Sequence, residues 1–308
     1  MHIKHNKYFK VLLFPFIYFA ELYGDKHPKS YMKIRYLARF RKCINLKEPK
    51  NLNEKIQWIL YNTDTTLWTS LADKYKVREY VKERGYENTL VELYGKWDKP
   101  DEIDFTKLPE SFVLKTNNSC GTVLIINDKA KIEEATIKKQ LTKWLNQKRN
   151  MGAEIHYKNI KPCIIAEKLL PKEKGQKTMI DYKIWCFNGK PYTILTTSNR
   201  FKSGVHIGNY DLDWNYHPEN LITSSTHPLE HKPLIKPKKF KEMLGIAESL
   251  SQPFPQVRVD LYNINGQIYF GEMTFTALGG LMNYFTEDFL LEMGNHVDVH
   301  YKTKMKNK

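Results

Sequence analysis

The most constraining segment of the chain is a pair of strand-like runs, residues 258–262 and 268–274, separated by Asn265-Gly266. Asn-Gly between two such runs is the strongest short-range signal for an antiparallel hairpin. Side chains alternate along a strand, so Arg258 and Asp260 share one face and the apolar residues between them take the other. The segment therefore predicts a hairpin with an apolar face and a charged face.

The second strand of this hairpin carries Glu272 and Thr274 at alternating positions. A two-residue turn with regular pairing would place Asp260 opposite Gly271 and would turn Glu272 to the far face. If Asp260 and Glu272 share a face, we expect a three-residue loop or a β-bulge between them, and we predict that irregularity. The apolar face of the second strand is assigned Tyr269, Met273 and Phe275.

Two carboxylates beside an Arg on neighbouring strands suit a site for magnesium and phosphate. Hard cations prefer carboxylate oxygens, and a guanidinium binds phosphate oxygens in pairs. The alternative is an edge hairpin whose acids only keep it soluble. If Asp260 and Glu272 lie on opposite faces of the folded hairpin, the metal prediction is wrong.

The charge balance of the 308-residue chain indicates a negatively charged partner. Lys and Arg total 49 against 34 Asp and Glu, which gives a net charge of +15. Nucleotide phosphates, an acidic glycan or anionic lipid would suit this charge, and so would nucleic acid. Because no zinc-finger spacing, RNP-like segment or Arg-rich arm occurs, we predict no nucleic-acid partner. The alternative is a solvated basic surface without a specific partner.

The cysteines and the first residues bear on location. Cys43, Cys120, Cys163 and Cys186 are widely separated, which predicts reduced thiols in a cytoplasmic protein without zinc ligands. The apolar run 11–20 follows a basic start, as in a signal peptide, but it is too short to span a bilayer and no cleavage site follows. We expect a packed terminal helix. The alternative is a peripheral contact at the inner face of the membrane, with lysines on anionic headgroups.

The order of elements predicts an α+β protein. Residues 1–70 have apolar positions at helical spacing, whereas strands with intervening helices follow from residue 112. The stretch from Ser198 to Gly208 is predicted to be a loop. The remaining strand predictions are 112–115, 123–126, 163–170, 181–187, 192–197 and 257–262, and the helix predictions are 73–85, 129–144 and 240–250.

Three further segments are candidates for nucleotide binding. Lys115 ends an apolar strand before a loop containing Ser119 and Gly121, where an ammonium and backbone N–H groups can point at phosphates. Lys183 alternates with large apolar residues and should project from the polar face of its strand. At the strand end formed by Glu167, Lys168, Leu169 and Leu170, backbone groups can bind an adenine edge. Each residue taken alone is equally compatible with an ordinary surface position.

Taken in order, these pieces resemble the ATP-grasp fold. More closely, the chain is similar to the TupA-like ATP-grasp family of bacterial surface-polysaccharide and teichuronopeptide synthesis, over residues 40–290. The resemblance implies an α+β ATP-grasp fold with antiparallel-rich sheets in two lobes, preceded by a helical N-terminal segment. The implied divisions are a helical segment 1–70, a first lobe 71–180, a second lobe 181–300 and a basic tail 301–308. The segments that carry the resemblance are 53–55, 73–74, 78–81, 108–109, 112–115, 181–183, 187–190 and 258–280.

The resemblance also implies roles for individual residues. Lys115 and Lys183 would hold ATP phosphates, with the loop of Ser119 and Gly121, while residues 167–170 would hold the adenine. Arg258 would steady the transferring phosphoryl group. The magnesium ligands would be Asp260, Glu272 and Thr274, although Thr274 stands where the fold usually has Asn, which implies a weaker second metal. Glu173 lies near, but not at, the sequence position of the acid that binds ribose in related ligases.

The function implied is ATP-dependent ligation of a carboxylate to an amine or thiol through an acyl phosphate. Its substrate would be a bacterial surface glycan, or its precursor, modified with an amino acid. Arg200 and His206 are candidates for contacts with the acceptor, or else plain loop surface. Two alternatives stay open: a kinase or other glycan-modifying transferase on the same fold, and a non-catalytic protein that binds anionic polymer or membrane.

Overall fold

The computed structural model describes residues 22–118, 121–147, 154–173, 178–200 and 204–306, together with the backbone of Phe201. The predictions for Ser119, Cys120, the apolar run 11–20 and the last two residues of the basic tail fall outside these ranges. No helix in the described ranges is long and apolar enough to cross a membrane.

Helices dominate the first part of the described chain, as predicted. The helix α2 begins with a capping box, in which the Asn51 side chain accepts from the Glu54 N–H and the Glu54 carboxylate accepts from the Asn51 N–H. The described helices are α1 (Pro28–Phe40), α2 (Leu52–Asn62), α3 (Thr66–Ala72), α4 (Val77–Glu83), α5 (Glu134–Asn146), α6 (Phe240–Ser251) and α7 (Glu287–Asn295).

The first sheet has four antiparallel strands in the order β1-β4-β2-β3. Its strands are β1 (Leu93–Trp97), β2 (Phe112–Thr116), β3 (Val123–Ile126) and β4 (Ile164–Lys168). Phe112 and Leu114 of β2 pack with Leu141 of α5 in one apolar cluster. By alternation, Lys115 of β2 and Glu167 of β4 lie on the face away from α5.

The second sheet has five antiparallel strands in the order β7-β6-β5-β8-β9. Val259 and Leu261 belong to the same apolar core as Met243 and Ile246 of α6, so this face is covered by a helix. Leu52 and Ile56 of α2 belong to that core as well. The strands are β5 (Asp181–Phe187), β6 (Lys190–Phe201), β7 (Gly204–Tyr210), β8 (Gln256–Ile264) and β9 (Gln267–Thr274).

The hairpin of β8 and β9 contains the predicted irregularity. Its turn has two residues, Asn265 and Gly266, both with positive φ (53° and 90°), as a type I′ turn requires. A bulge at Gly271 shifts the register, so that Asp260 pairs with Glu272 while Leu261 pairs with Phe270. The prediction of a bulge is confirmed, and the two carboxylates share a face.

The same bulge corrects one expected face. Tyr269 was assigned to the apolar side, but it pairs with Tyr262 on the charged side, and Ile268 and Phe270 take the core positions instead. Strict alternation fails here because the extra residue inverts the parity of the strand beyond it.

The predicted loop from Ser198 to Gly208 is also wrong. Ser198 pairs with His206, and the segment forms the ends of β6 and β7. Its polar, Gly-containing composition resembles a loop, but such a composition is also compatible with β7, which is the edge strand of the sheet. The strand β1 and the helix α7 were not foreseen. The α+β class is confirmed, while the divisions at residues 70, 180 and 300 remain predictions.

Candidate functional site

The face of the second sheet away from α6 carries a row of alternating charges on three adjacent strands. Lys183 on β5 pairs with Asp260 on β8, which pairs in turn with Glu272 on β9. The Lys183 Nζ lies 2.7 Å from Asp260 Oδ2. Arg258 donates two hydrogen bonds to the same carboxylate, from Nε to Oδ1 at 2.6 Å and from Nη2 to Oδ2 at 2.8 Å. Asp260 is thus neutralised by two cations from its own sheet.

Glu272 is held by a second set of donors. The Lys74 Nζ lies 3.0 Å from Glu272 Oε2, Arg258 Nη2 lies 3.5 Å from Oε1, and the Thr274 hydroxyl donates to Oε1 at 3.2 Å. Burial raises the pKa of Glu272, but the positive charges of Lys74, Arg258 and Lys183 together outweigh it and hold that pKa well below its usual range. The carboxylate is therefore ionised at neutral pH.

Arg258 is the centre of this second-sheet cluster. Its Nη2 also donates to the Thr274 hydroxyl at 3.0 Å, and its guanidinium lies over the Trp185 ring, 5.8 Å from the ring centroid. Burial lowers the pKa of Arg258, but its contacts with Asp260 outweigh burial and raise the pKa above its usual range. A fixed, fully charged guanidinium of this kind suits phosphate oxygens.

A smaller cluster lies on the face of the first sheet away from α5. The Lys115 Nζ lies 2.5 Å from Glu167 Oε2, and Arg78 Nη1 lies 3.4 Å from Glu167 Oε1. Arg78 Nη2 also donates to the Val91 carbonyl at 2.8 Å. Two residues expected at the nucleotide, Lys115 and Glu167, are therefore paired with each other.

The segment 73–78 joins the two clusters. Lys74 contacts Glu272 in the second sheet, while Arg78, four residues later, contacts Glu167 in the first. The Lys74 N–H donates to the carbonyl of Asn117, in the connection after β2, at 3.0 Å. Lys74 lies in the turn before α4 and Arg78 lies in the first turn of that helix. Because four residues span about 14 Å at most, the two charged faces lie within reach of one short segment.

The remaining predicted residues are spread around these clusters. Gly121 is exposed with a left-handed φ of 75°. Lys168 is exposed and its Nζ lies 3.2 Å from Glu92 Oε2, away from Lys115. Leu169 is half-buried, and Leu170 packs with Val91 and Ile264 between the sheets.

Lys74, Arg78 and Asp181 were given no role from the sequence. Asp181 Oδ2 lies 3.4 Å from the Lys183 Nζ and also accepts from Arg200, which was expected to contact an acceptor. Burial raises the pKa of Asp181, but Lys183 and Arg200 outweigh it and lower that pKa. The signal for Lys74 and Arg78 is two cations four residues apart, directly after Asp73, whose carboxylate accepts from the turn N–H groups that follow it.

Two other polar contacts concern residues considered above. His206 lies beside Glu230, with 3.8 Å between Nδ1 and Oε2, on the opposite face of the second sheet from Lys183. Glu173 accepts from the Asn265 N–H at 2.6 Å, so it links the end of the adenine segment to the turn of the β8–β9 hairpin.

The donor set of the second-sheet cluster fits magnesium in part. Asp260 and Glu272 offer carboxylate oxygens side by side, with the Thr274 hydroxyl next to them. In the described ranges, no group of three or more His, Cys, Asp or Glu side chains is arranged to hold a metal ion. Magnesium usually takes one or two carboxylates and completes its shell with water and substrate phosphates, so two carboxylates are sufficient.

Comparison with known proteins decides the family. The sequence model of one family, described as TupA-like ATPgrasp, matches residues 54–298, which is 245 of the 308 residues. The chain belongs to the TupA-like ATP-grasp family. This membership confirms the predicted family and the ATP-grasp fold, and it identifies the protein in general terms as an ATP-dependent ligase. No curated protein matches the chain in sequence.

Solved structures similar to this ATP-grasp chain are distant in sequence. D-alanine–D-alanine ligase from Bacillus anthracis is 15% identical over 78% of this chain and 67% of its own, with a TM-score of 0.42. The corresponding ligase from Helicobacter pylori is 13% identical over 80% of this chain and 67% of its own, with a TM-score of 0.42. N5-carboxyaminoimidazole synthase from Aspergillus clavatus, in complex with ADP, is 10% identical over 70% of this chain and 46% of its own, with a TM-score of 0.40.

Proposed function

We propose that this chain uses ATP to activate a substrate carboxylate as an acyl phosphate and then joins it to an amine or a thiol. The substrate that we propose is a bacterial surface glycan, or its precursor, which receives an amino acid. The observation that carries the proposal is the segment 73–78, which holds the cations Lys74 and Arg78 between the two charged faces. The net charge of +15 suits an anionic acceptor.

The nucleotide would lie between the two sheets. Lys115 and Lys183 would hold phosphate oxygens, each leaving or sharing the carboxylate that it contacts in this structure. The adenine would bind at residues 167–170, where the strand β4 ends and Leu170 supplies apolar surface. The loop with Ser119 and Gly121 would contribute backbone N–H groups.

Magnesium would bind at Asp260 and Glu272, with Thr274 as a weaker ligand. When bound with ATP, such an ion neutralises the charge of the transferring phosphoryl group. The oxygens of both carboxylates are oriented by Lys183, Arg258 and Lys74. Replacement of these cation contacts by a divalent ion would conserve the local charge balance.

The reaction proceeds in two steps. An oxygen of the substrate carboxylate attacks the γ-phosphorus of ATP, the bond to the β-phosphate oxygen breaks, and ADP leaves. Arg258, held by Asp260 and Thr274, steadies the phosphoryl group and then the acyl phosphate. An amine nitrogen attacks the acyl carbon, loses a proton, and releases inorganic phosphate with formation of the amide.

Incubation with magnesium-ATP and paired carboxylate and amine acceptors tests this function. Ligation predicts that release of phosphate depends on both acceptors, and that hydroxylamine in place of the amine traps the activated acid as a hydroxamate. A phosphorylated sugar without release of phosphate would instead establish a kinase. Failure to bind nucleotide would contradict the proposal altogether and would favour a protein that only binds anionic polymer.

We propose a cytoplasmic location for this reaction. The cysteines in the described ranges, Cys43, Cys163 and Cys186, are all unpaired, which suits a reducing compartment where ATP is available. An acceptor carried on the inner face of the membrane would bring the protein to that surface. Sedimentation with anionic lipid vesicles measures that association.

A further inference from the structure

A cavity separate from the paired carboxylates lies between α1 and the chain that follows β9. Its volume is about 470 Å³, and it is lined by Arg35, Ala38 and Arg39 of α1 and by Leu278 and Leu281. The helix α1 lies outside the family match at 54–298.

The wall formed by residues 276–283 is held in an unusual conformation. Leu278, Gly279 and Gly280 are consecutively left-handed, with φ of 49°, 68° and 69°. A leucine in the left-handed region is strained, and such strain persists where the surroundings fix it. The Leu278 side chain is half exposed beside the cavity.

Two polar side chains of α2 fix this wall. The Gln57 Nε2 donates to the Gly279 carbonyl at 2.8 Å, while the Asn53 amide exchanges two hydrogen bonds of 3.0 Å with the backbone of Met282. A Cβ on Gly280 would lie 2.0 Å from the Gln57 Nε2, so no other residue fits there without displacement. The cavity wall is therefore preorganised.

The two arginines of the cavity differ in what they contact. Arg39 Nη2 donates to Asn283 Oδ1 at 2.6 Å, so its guanidinium is anchored. Arg35 is half-buried and lies over the Tyr31 ring, but within the described ranges no hydrogen-bond acceptor or carboxylate is in contact range of its guanidinium. An Arg with its donors available at a cavity wall is a site for an anion.

The cavity wall begins two residues after Thr274 of the second-sheet cluster. Thr276, two residues after Thr274, donates to the Glu154 carboxylate, and the Cβ position of Gly279 lies within 3.7 Å of both Glu154 and Arg35. Burial raises the pKa of Glu154, although Thr276 and Arg35 oppose this.

We propose that this cavity binds a second anionic group of the substrate, remote from the carboxylate that is activated. Arg35 makes the ionic contact, and Leu278 packs against the apolar part of the same substrate. This inference rests on the proposed function, and it makes α1 a determinant of specificity for acidic substrates. The second anionic group is a carboxylate or a phosphate, carried by an amino acid or by a sugar.

Calorimetric titration with two matched pairs of probes tests the cavity. L-glutamate against L-glutamine tests an amino acid, and glucuronic acid 1-phosphate against glucuronic acid tests a sugar. The wild-type protein should bind the more anionic member of one pair about tenfold more tightly, as one charge-assisted contact provides. Arg35→Gln should abolish that preference, and Arg35→Lys should keep part of it.

Lys33→Gln is the matched control, because it removes the same charge from an exposed position of the same helix that does not line the cavity. Thermal melting of each variant establishes that it is folded. Equal binding of both members of each pair by the wild-type protein would overturn the inference, and so would a preference that survives in folded Arg35→Gln.

Nucleotide binding, measured on the same preparations, separates the two proposals. If ATP fails to bind while the preference dependent on Arg35 persists, the proposed function fails and the cavity stands. If ATP is consumed with an acceptor but no variant of Arg35 changes the preference, only the cavity assignment fails.

Discussion

The two charged faces arrange the same residue types, carboxylates and cations, in different ways. On the first sheet, one carboxylate, Glu167, contacts two cations, Lys115 and Arg78. On the second sheet, Asp260 and Glu272 lie side by side and share the cation Arg258. A lone acid between two cations suits a polyphosphate, whereas two acids side by side suit a divalent ion. We therefore propose that the first face holds the nucleotide and the second holds its metal.

The clusters also differ in how firmly they are built. Arg258 makes hydrogen bonds to Asp260, Glu272 and Thr274 within one hairpin, so its position is fixed by several contacts at once. Lys115 has its ion pair with Glu167. A ligand can therefore displace Lys115 from Glu167 by breaking one ion pair. In the second-sheet cluster, a ligand would replace cation contacts to the carboxylates while the backbone stays in place.

The largest expected effect is loss of turnover on removal of one second-sheet acid. Glu272→Gln should lower kcat on the order of a hundredfold to a thousandfold, because a metal ion contributes several kcal/mol of charge stabilisation. Release of ADP and phosphate measures this. Glu92→Gln, which removes an exposed acid paired with Lys168, is the control and should retain full activity. A fully active Glu272→Gln protein would refute the metal assignment.

A smaller effect is expected in the first sheet. Lys115→Met should weaken ATP binding about tenfold to a hundredfold, as expected for loss of one hydrogen bond to a charged group. Titration with a non-hydrolysable ATP analogue measures the dissociation constant. Lys139→Met removes an exposed Lys from α5, on the other face of the same sheet, and should leave ATP affinity nearly unchanged. The opposite ranking would contradict the assignment of Lys115 to the phosphates.

The bulge gives a test of stability rather than of binding. A Cβ on Gly271 would lie 3.0 Å from the Asp260 carbonyl oxygen, so Gly271→Ala should destabilise the fold by about 1–2 kcal/mol in urea denaturation. Gly245→Ala is a matched control in α6, where no atom lies within 4 Å of the new methyl group. It should be neutral or stabilise by about 0.5–1 kcal/mol. Equal effects of both substitutions would contradict the tight packing of the bulge.

The smallest effect concerns pH. The pKa of Glu272 lies below its ordinary value of 4.5, so its ionised form stabilises the fold fully above that value and loses this contribution as pH falls toward the folded pKa. The stability advantage of wild type over Glu272→Gln should therefore be constant above about pH 4.5 and shrink as pH falls below that value. Glu92→Gln should follow the wild-type profile. Parallel curves for wild type and Glu272→Gln would contradict the depressed pKa.

Much of this fold could be predicted because apolar periodicity and turn residues determine where individual helices and strands begin and end. The bounds of β5 were predicted as found, and α6 was predicted to within one residue. The bulge could be deduced because an Asn265-Gly266 turn and a shared face are incompatible with regular pairing. Its position at Gly271 could not, since alternation specifies only that an extra residue exists.

The candidate site was less accessible from the sequence. The pairing of Lys183 with Asp260 follows from strand order, which no local pattern encodes. The contacts of Lys74 and Arg78 join residues 198 and 89 positions apart in the chain, so only the folded structure brings them together. The cavity at Arg35 depends on how α1 docks against residues 276–283, which is again a long-range contact.

The bulge at Gly271 has a consequence for the length of β9. Removing Gly271 would leave a regular hairpin in which Glu272 still faces Asp260 and Phe270 still faces Leu261, so the pairing itself does not demand the additional residue. What that residue contributes is curvature, because bulges bend a strand and increase its twist. The curvature of the second sheet, rather than the side chains on its charged face, therefore sets the number of residues in β9.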